Sequence, residues 1–98
     1  METTRLLTQF QKTCEGRLCA ALASRGLTLT GRMLEGEAET YIRALVRDTD
    51  IEVYIYEDGA QFHRGGKLAG LYERPDFDDA NALQTAFVEG VLQAVPKR

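Results

Sequence analysis

Ser24, Cys14, Cys19 and His63 are the side chains of this chain best suited to nucleophilic or acid-base chemistry. Ser24, the sole serine, falls at a helix end beside Gly26. It lacks the flanking glycines of a nucleophile elbow, so a serine triad has no place to form. Cys14 and Cys19 are five positions apart in a helical stretch. That spacing sets them about 140° apart around the axis and roughly 8 Å apart, too far for a disulfide. They read as small buried or half-buried thiols. With no CxxC and one histidine in the chain, zinc has too few soft ligands, and neither a metal nor a cofactor is expected. His63 falls on the sheet face turned away from the helices, which separates it from both cysteines. No carboxylate is expected beside it to orient the ring, so it reads as a partly exposed strand residue.

Two further features have chemical look-alikes. Gly65-Gly66-Lys67 follows Arg64, but it lacks the phosphate-loop spacing and lies between two strands rather than ahead of a helix, so it reads as a hairpin turn. Acidic residues cluster at Glu35-Gly36-Glu37, at Glu57-Asp58 and from Asp76 to Asp79. Each cluster coincides with a turn or a helix start, where solvation or the helix dipole accounts for it. No catalytic residue is assigned, and the chain is not expected to be an enzyme.

The elements that position these residues follow from periodicity. Leu6, Leu7, Phe10, Cys14, Leu18, Ala21 and Leu22 recur at helical spacing and predict a helix over 3–25, stopped by Gly26. Gly16 inside it points to a bend or a close packing contact. From Leu27 to Leu71 the period changes to two. A two-residue turn at Gly36-Glu37 pairs Leu29 with Ala44, Gly31 with Ile42 and Met33 with Thr40. A turn at Thr49-Asp50 sets Ala44 opposite Ile55, and Asp58-Gly59 sets Ile55 opposite Phe62. Gly65-Gly66 sets Phe62 opposite Ala69 and Ala60 opposite Leu71. All four turns put their apolar residues on one face. A second helix begins after Arg74-Pro75, with Asp78 as N-cap and Phe77 as a staple, and carries Leu83, Phe87, Val91 and Val95 as its stripe. The order is α-β-β-β-β-β-α. The expected fold is a single α+β domain over 1–98, a two-layer sandwich with an antiparallel meander of 4–5 strands and both helices on one face.

The face left over carries the remaining information. In this register Arg32, Tyr41, Arg43, Leu45, Tyr54, Tyr56 and His63 point away from the helices, with Arg32 beside Tyr41, Arg43 beside Tyr56, Leu45 beside Tyr54, Tyr54 beside His63 and Arg47 beside Glu52. A purely solvated sheet face is usually rich in Thr, Lys and Glu. Here three of the four tyrosines gather with arginine, a composition found at protein interface centres. Tyr41, Arg43, Leu45, Tyr54, Tyr56 and His63 are therefore the candidate partner-binding residues.

Composition narrows the partner. The chain has 98 residues and a net charge of −3; residues 1–50 balance seven basic against seven acidic, and 51–98 carry five against eight. Lys and Arg are scattered, which argues against nucleic acid. No apolar run approaches the roughly 20 residues of a membrane span, and no secretory signal is visible, so a cytoplasmic setting is expected. The α-β-meander-α plan and acidic charge resemble, as a plan alone, small bacterial immunity or inhibitor proteins and secretion chaperones, which implies protein binding. The expectation is a small acidic protein-binding module, possibly self-associating. The alternative is a small-molecule-binding domain or minor enzyme with its site between sheet and helices.

Overall fold

A computed structural model describes residues 7–96. Helix α1 (Gln9–Ala23) is followed by strands β1 (Leu29–Glu35), β2 (Tyr41–Val46), β3 (Ile51–Ile55), β4 (Gly59–Arg64) and β5 (Lys67–Glu73), a short 3-10 turn (Arg74–Asp76) and helix α2 (Ala80–Ala94). The five strands form one antiparallel sheet in sequence order. Both helices pack on the same face and touch each other, giving the expected two-layer α+β arrangement.

Helix α1 begins with a capping box. The Thr8 hydroxyl accepts from the Gln11 amide at 3.2 Å, and the Gln11 side chain accepts from Thr8 N at 2.9 Å. Residues 3–6 of the expected helix lie outside the described residues. Gln11 is fully buried, and its Nε2 donates to the carbonyls of Thr40 at 2.6 Å and Ile55 at 3.3 Å. One polar side chain thus closes the helix start and ties it to the ends of β2 and β3. Arg17 joins the helices, donating to Asn81 Oδ1 at 2.9 Å, Gln84 Oε1 at 3.2 Å and Thr85 Oγ1 at 2.6 Å. The N-cap of α2 is Asp79, one residue later than expected, and its carboxylate accepts from Ala82 N at 2.8 Å. Phe77 packs on Tyr72, with ring centroids 6.3 Å apart, rather than acting as a helix staple.

Between the layers, Ile42, Ala44, Val46, Val53, Ile55 and Phe62 from the sheet are buried with Leu18, Leu22, Phe87 and Val91 from the helices. Leu83 is also buried, and Phe10 is partly so. The strand pairing differs from the expected register in an instructive way. Ile42 faces Ile55 and Ala44 faces Val53; across the next hairpin Val53 faces Phe62 and Ile55 faces Ala60. Both hairpins are displaced by two residues, because four residues, 47–50, link β2 to β3 and the β3–β4 turn closes with Tyr56 N donating to Gly59 O at 2.8 Å. An even displacement exchanges neighbours but keeps every side chain on its face.

The edge strands depart further, because each hairpin that includes one carries a bulge. The β1–β2 connection spans 36–40 rather than two residues, and Leu29 faces Val46. The register then shifts between Thr30 and Met33, with Gly31 at φ 64°, a conformation glycine adopts without steric cost. The shift puts Met33 opposite Arg43 on the open face and sends Arg32 to the helix side, where it pairs with Glu15 of α1. Arg32 therefore does not lie beside Tyr41. On the other edge, a shift between Phe62 and His63 sets Phe62 opposite Gly70 and Ala60 opposite Tyr72. Tyr72 enters the core, edge-on to Phe87 at 5.8 Å, and Leu71 moves to the open face.

Two helical glycines are opposites in their surroundings. A Cβ at Gly16 would meet nothing within 4 Å, whereas one at Gly90 would overlap the Tyr72 hydroxyl. Gly16 thus marks no close packing contact. Thermal melts should show Gly16→Ala stabilising by up to about 1 kcal/mol through helix propensity. Gly90→Ala should destabilise by about 1–3 kcal/mol, the usual scale for overpacking.

Candidate functional site

The site is built by alternation. Once Ile42, Ala44, Val53 and Ile55 face the helices, Tyr41, Arg43 and Leu45 of β2 and Tyr54 of β3 must face the other way, joined by Tyr56 just beyond β3 and His63 of β4. No described element covers this open face. The six candidate residues do lie together on it. Tyr41 and Tyr56 have ring centroids 4.8 Å apart, Tyr41 and Tyr54 6.2 Å, and Tyr54 and Tyr56 6.5 Å. The His63 ring lies 4.9 Å from Tyr54, and the Arg43 guanidinium carbon lies 6.0 Å from the centre of the Tyr54 ring.

The pairings within the cluster differ from expectation through the two-residue displacement. Arg43 faces Tyr54 rather than Tyr56, Leu45 faces Glu52 rather than Tyr54, and Tyr54 faces Gln61, with His63 as its diagonal neighbour. Arg47 lies in the loop after β2, away from the expected pairing with Glu52. Glu52 instead faces His63, which puts a carboxylate beside that ring where none was expected. His63 Nε2 lies 3.0 Å from Gln61 Nε2.

Two acidic residues complete the face. Glu52 accepts from Arg43 Nε at 2.6 Å and from the Tyr54 hydroxyl at 2.8 Å. Glu35, expected to be a solvated turn residue, accepts from Arg43 Nη1 at 3.3 Å and from the Tyr41 hydroxyl at 3.2 Å. Arg43 is thus the hub of a network that satisfies two carboxylates and orients two phenols. The Tyr54 hydroxyl bond, then Arg43, holds the Glu52 carboxyl below its ordinary value. Partial burial, reinforced by Glu52 for Tyr54 and by Glu35 for Tyr41, pushes those phenols up, so both stay protonated and donate at neutral pH. Around this polar centre lie exposed apolar side chains: Met33 (53%) and Leu45 on one side, Leu68 and Leu71 (51%) on the other. Pure alternation could have flagged Glu52 and Gln61. Met33 and Leu71 were hidden by bulges that leave no pattern in the apolar residues.

The candidate nucleophiles lie elsewhere. Cys14 is buried in α1, and burial pushes its thiol up to about 12. Cys19 is exposed, and its thiol is also raised, chiefly by desolvation and then by Glu15. Ser24 caps α1, its hydroxyl donating to the Ala21 carbonyl at 2.6 Å. Among the described residues, no three His, Cys, Asp or Glu side chains converge as metal ligands, and no helix is long and apolar enough to cross a membrane. A cleft of about 370 Å³ lies at the sheet end between Glu39, Tyr56, Asp58, Tyr72 and Arg74, and another of about 440 Å³ lies between the first turns of the two helices. The interior between sheet and helices is filled by the apolar cluster.

No protein-family model matches the chain, and neither a curated protein nor a solved structure is similar to it.

Two measurements check this description. A thiol reagent at neutral pH should modify Cys19 alone in the native protein and both cysteines after denaturation; equal native labelling would contradict the packing of Cys14. The lowered Glu52 value means its contribution to stability is fully present above its ordinary value of 4.5 and lost as pH falls through the folded value. The melting-temperature gap between wild type and Glu52→Gln should therefore be full at pH 7 and close below about pH 4.5.

Proposed function

We propose that this chain is a small cytoplasmic protein-binding module, of the inhibitor, immunity or adaptor kind, that acts without catalysis through the open sheet face. The observation that carries the reading is the joining of Tyr41, Tyr54, Tyr56, Arg43 and His63 into one contiguous cluster on a face with no core demand for aromatic residues. Tyr and Arg dominate interface hot spots because they bring large contact area and directed polar groups together. The charges support a protein partner over a polyanion: Arg43, the cation at the centre, is already neutralised by Glu35 and Glu52. A phosphate backbone needs free, clustered cations instead. Two free cysteines suit a reducing compartment, which supports the cytoplasmic setting.

The test compares association, read by solution mass and by quantitative capture from host lysate, between wild type and two variants. Tyr54→Ala should weaken association by roughly 2 kcal/mol or more, the scale of an interface hot spot, with only a modest fall in melting temperature. Lys12→Glu, exposed on α1 on the opposite side of the molecule, should leave association intact. Association unchanged by Tyr54→Ala in a folded chain, or abolished by Lys12→Glu, would refute the reading.

A further inference from the structure

Resting on the reading of the open face as an interaction surface, we infer that its partner is a basic protein segment, which lays apolar residues over the tyrosine cluster and inserts a lysine or arginine into the cleft beside the β3–β4 turn.

The first support is the charge of the face itself. Among the outward-facing positions of the five strands Arg43 is the one Lys or Arg, set against Glu35, Glu52 and Glu73, which leaves a net of −2. Arg43 is already shared between Glu35 and Glu52, so it has nothing left for an anionic partner. Like charges set across a desolvated contact are costly, and a second copy stacked here would double the excess. A cation brought by the partner relieves it.

The second support is where the meander collects its acids. Alternate hairpins close at the same end of a sheet, so the β1–β2 connection, the β3–β4 turn and the end of β5 bring Glu37, Glu39, Glu57, Asp58 and Glu73 to one end. Solvation accounts for each alone, yet none of the five has an ion pair among the described residues. Arg74, the cation in this neighbourhood, donates to the Phe77 carbonyl at 3.1 Å. Both helices also start at this end, and two helix N-termini together offset about one negative charge. Asp76, Asp78 and Asp79 already exceed that at the start of α2. At the opposite end Arg47, Arg64 and Lys67 outnumber Asp48 and Asp50, so the negative field is local.

The third support is shape. The cleft of about 370 Å³ lies between the β3–β4 turn and the end of β5, walled by Tyr56 and Leu71 and by the acidic residues Glu39, Asp58 and Glu73. Tyr56 also belongs to the tyrosine cluster, 4.8 Å from Tyr41, which makes the cleft continuous with the open face. A lysine or arginine matches this lining along its length, with its apolar stem against Leu71 and the Tyr56 ring and its charged head among the carboxylates. A small amine would fill the cleft but leave the exposed Met33, Leu45 and Leu68 uncovered. A protein segment reaches both.

Fluorescence anisotropy of the full chain with a short labelled peptide of alternating lysine and leucine tests the inference. Wild type should bind this peptide and not its counterpart with glutamate in place of lysine. The dissociation constant should rise about tenfold as salt is raised from about 50 to about 300 mM, because exposed charges are then screened. Asp58→Asn combined with Glu73→Gln should raise it about tenfold, and Tyr56→Ala should do the same. Asp48→Asn combined with Asp50→Asn removes the same charge at the opposite end and should change it less than twofold. All four of these acids are exposed, so both double variants should melt as wild type does. Equal binding of the glutamate peptide, equal loss in the two double variants, or n-butylammonium binding as tightly as the peptide would overturn the inference. A chain that ignores the lysine peptide but captures a host protein through Tyr54 would refute the basic partner and leave the face as the binding surface. Peptide binding and capture both indifferent to Tyr54→Ala would remove the surface itself.

Discussion

Ile42, Ala44, Val53, Ile55 and Phe62 project from one side of β2, β3 and β4 and are sealed against α1 and α2, and the rest of the molecule depends on that closure. Each large aliphatic side chain so buried contributes about 1.5–3 kcal/mol, more than any surface pair can offer. The pleat leaves no freedom after that choice. Burying the even set of β2 exposes Tyr41, Arg43 and Leu45, and burying the odd set of β3 exposes Glu52 and Tyr54. The two polar anchors of the closure act at its ends: Gln11 bonds to the Thr40 and Ile55 carbonyls, and Arg17 bridges the helices.

The open face is stiffened by interactions that would be weak one at a time. Exposed ion pairs contribute little alone, but Arg43 joins Glu35 on β1 to Glu52 on β3, and each carboxylate also fixes a phenol. Tyr41 and Tyr54 are thereby held in defined orientations, which under the proposed binding role would lower the ordering cost of association. This preorganisation gives the cluster a physical meaning beyond the high strand propensity of tyrosine.

The faces of β2, β3 and β4 were legible in the sequence because a period of two survives any even displacement of register. The exact neighbours were not, since loop lengths decide them. The four-residue loop 47–50 looks like a short turn at Thr49-Asp50 when read from composition alone. The edge strands were misread for a different reason. A bulge inserts one residue without changing residue types, so Arg32, Met33 and Leu71 appeared on the wrong faces. Five of the six face residues lie on or next to β2 and β3, inside the unbulged part of the sheet, and the group was found intact. Glu35 was missed as a partner because its place beside Gly36 resembles a turn, while the longer connection extends β1 through it.

Hydroxyl-radical footprinting read by mass spectrometry, on dilute chain and on chain in its associated state, tests most directly the claim that the open face is where this protein binds. The account predicts that oxidation of Met33, Tyr54, His63 and Leu71 falls on association while that of Phe10 and Leu34 is unchanged. Protection confined to the helices, or unchanged oxidation of the four face residues in the associated state, would contradict it.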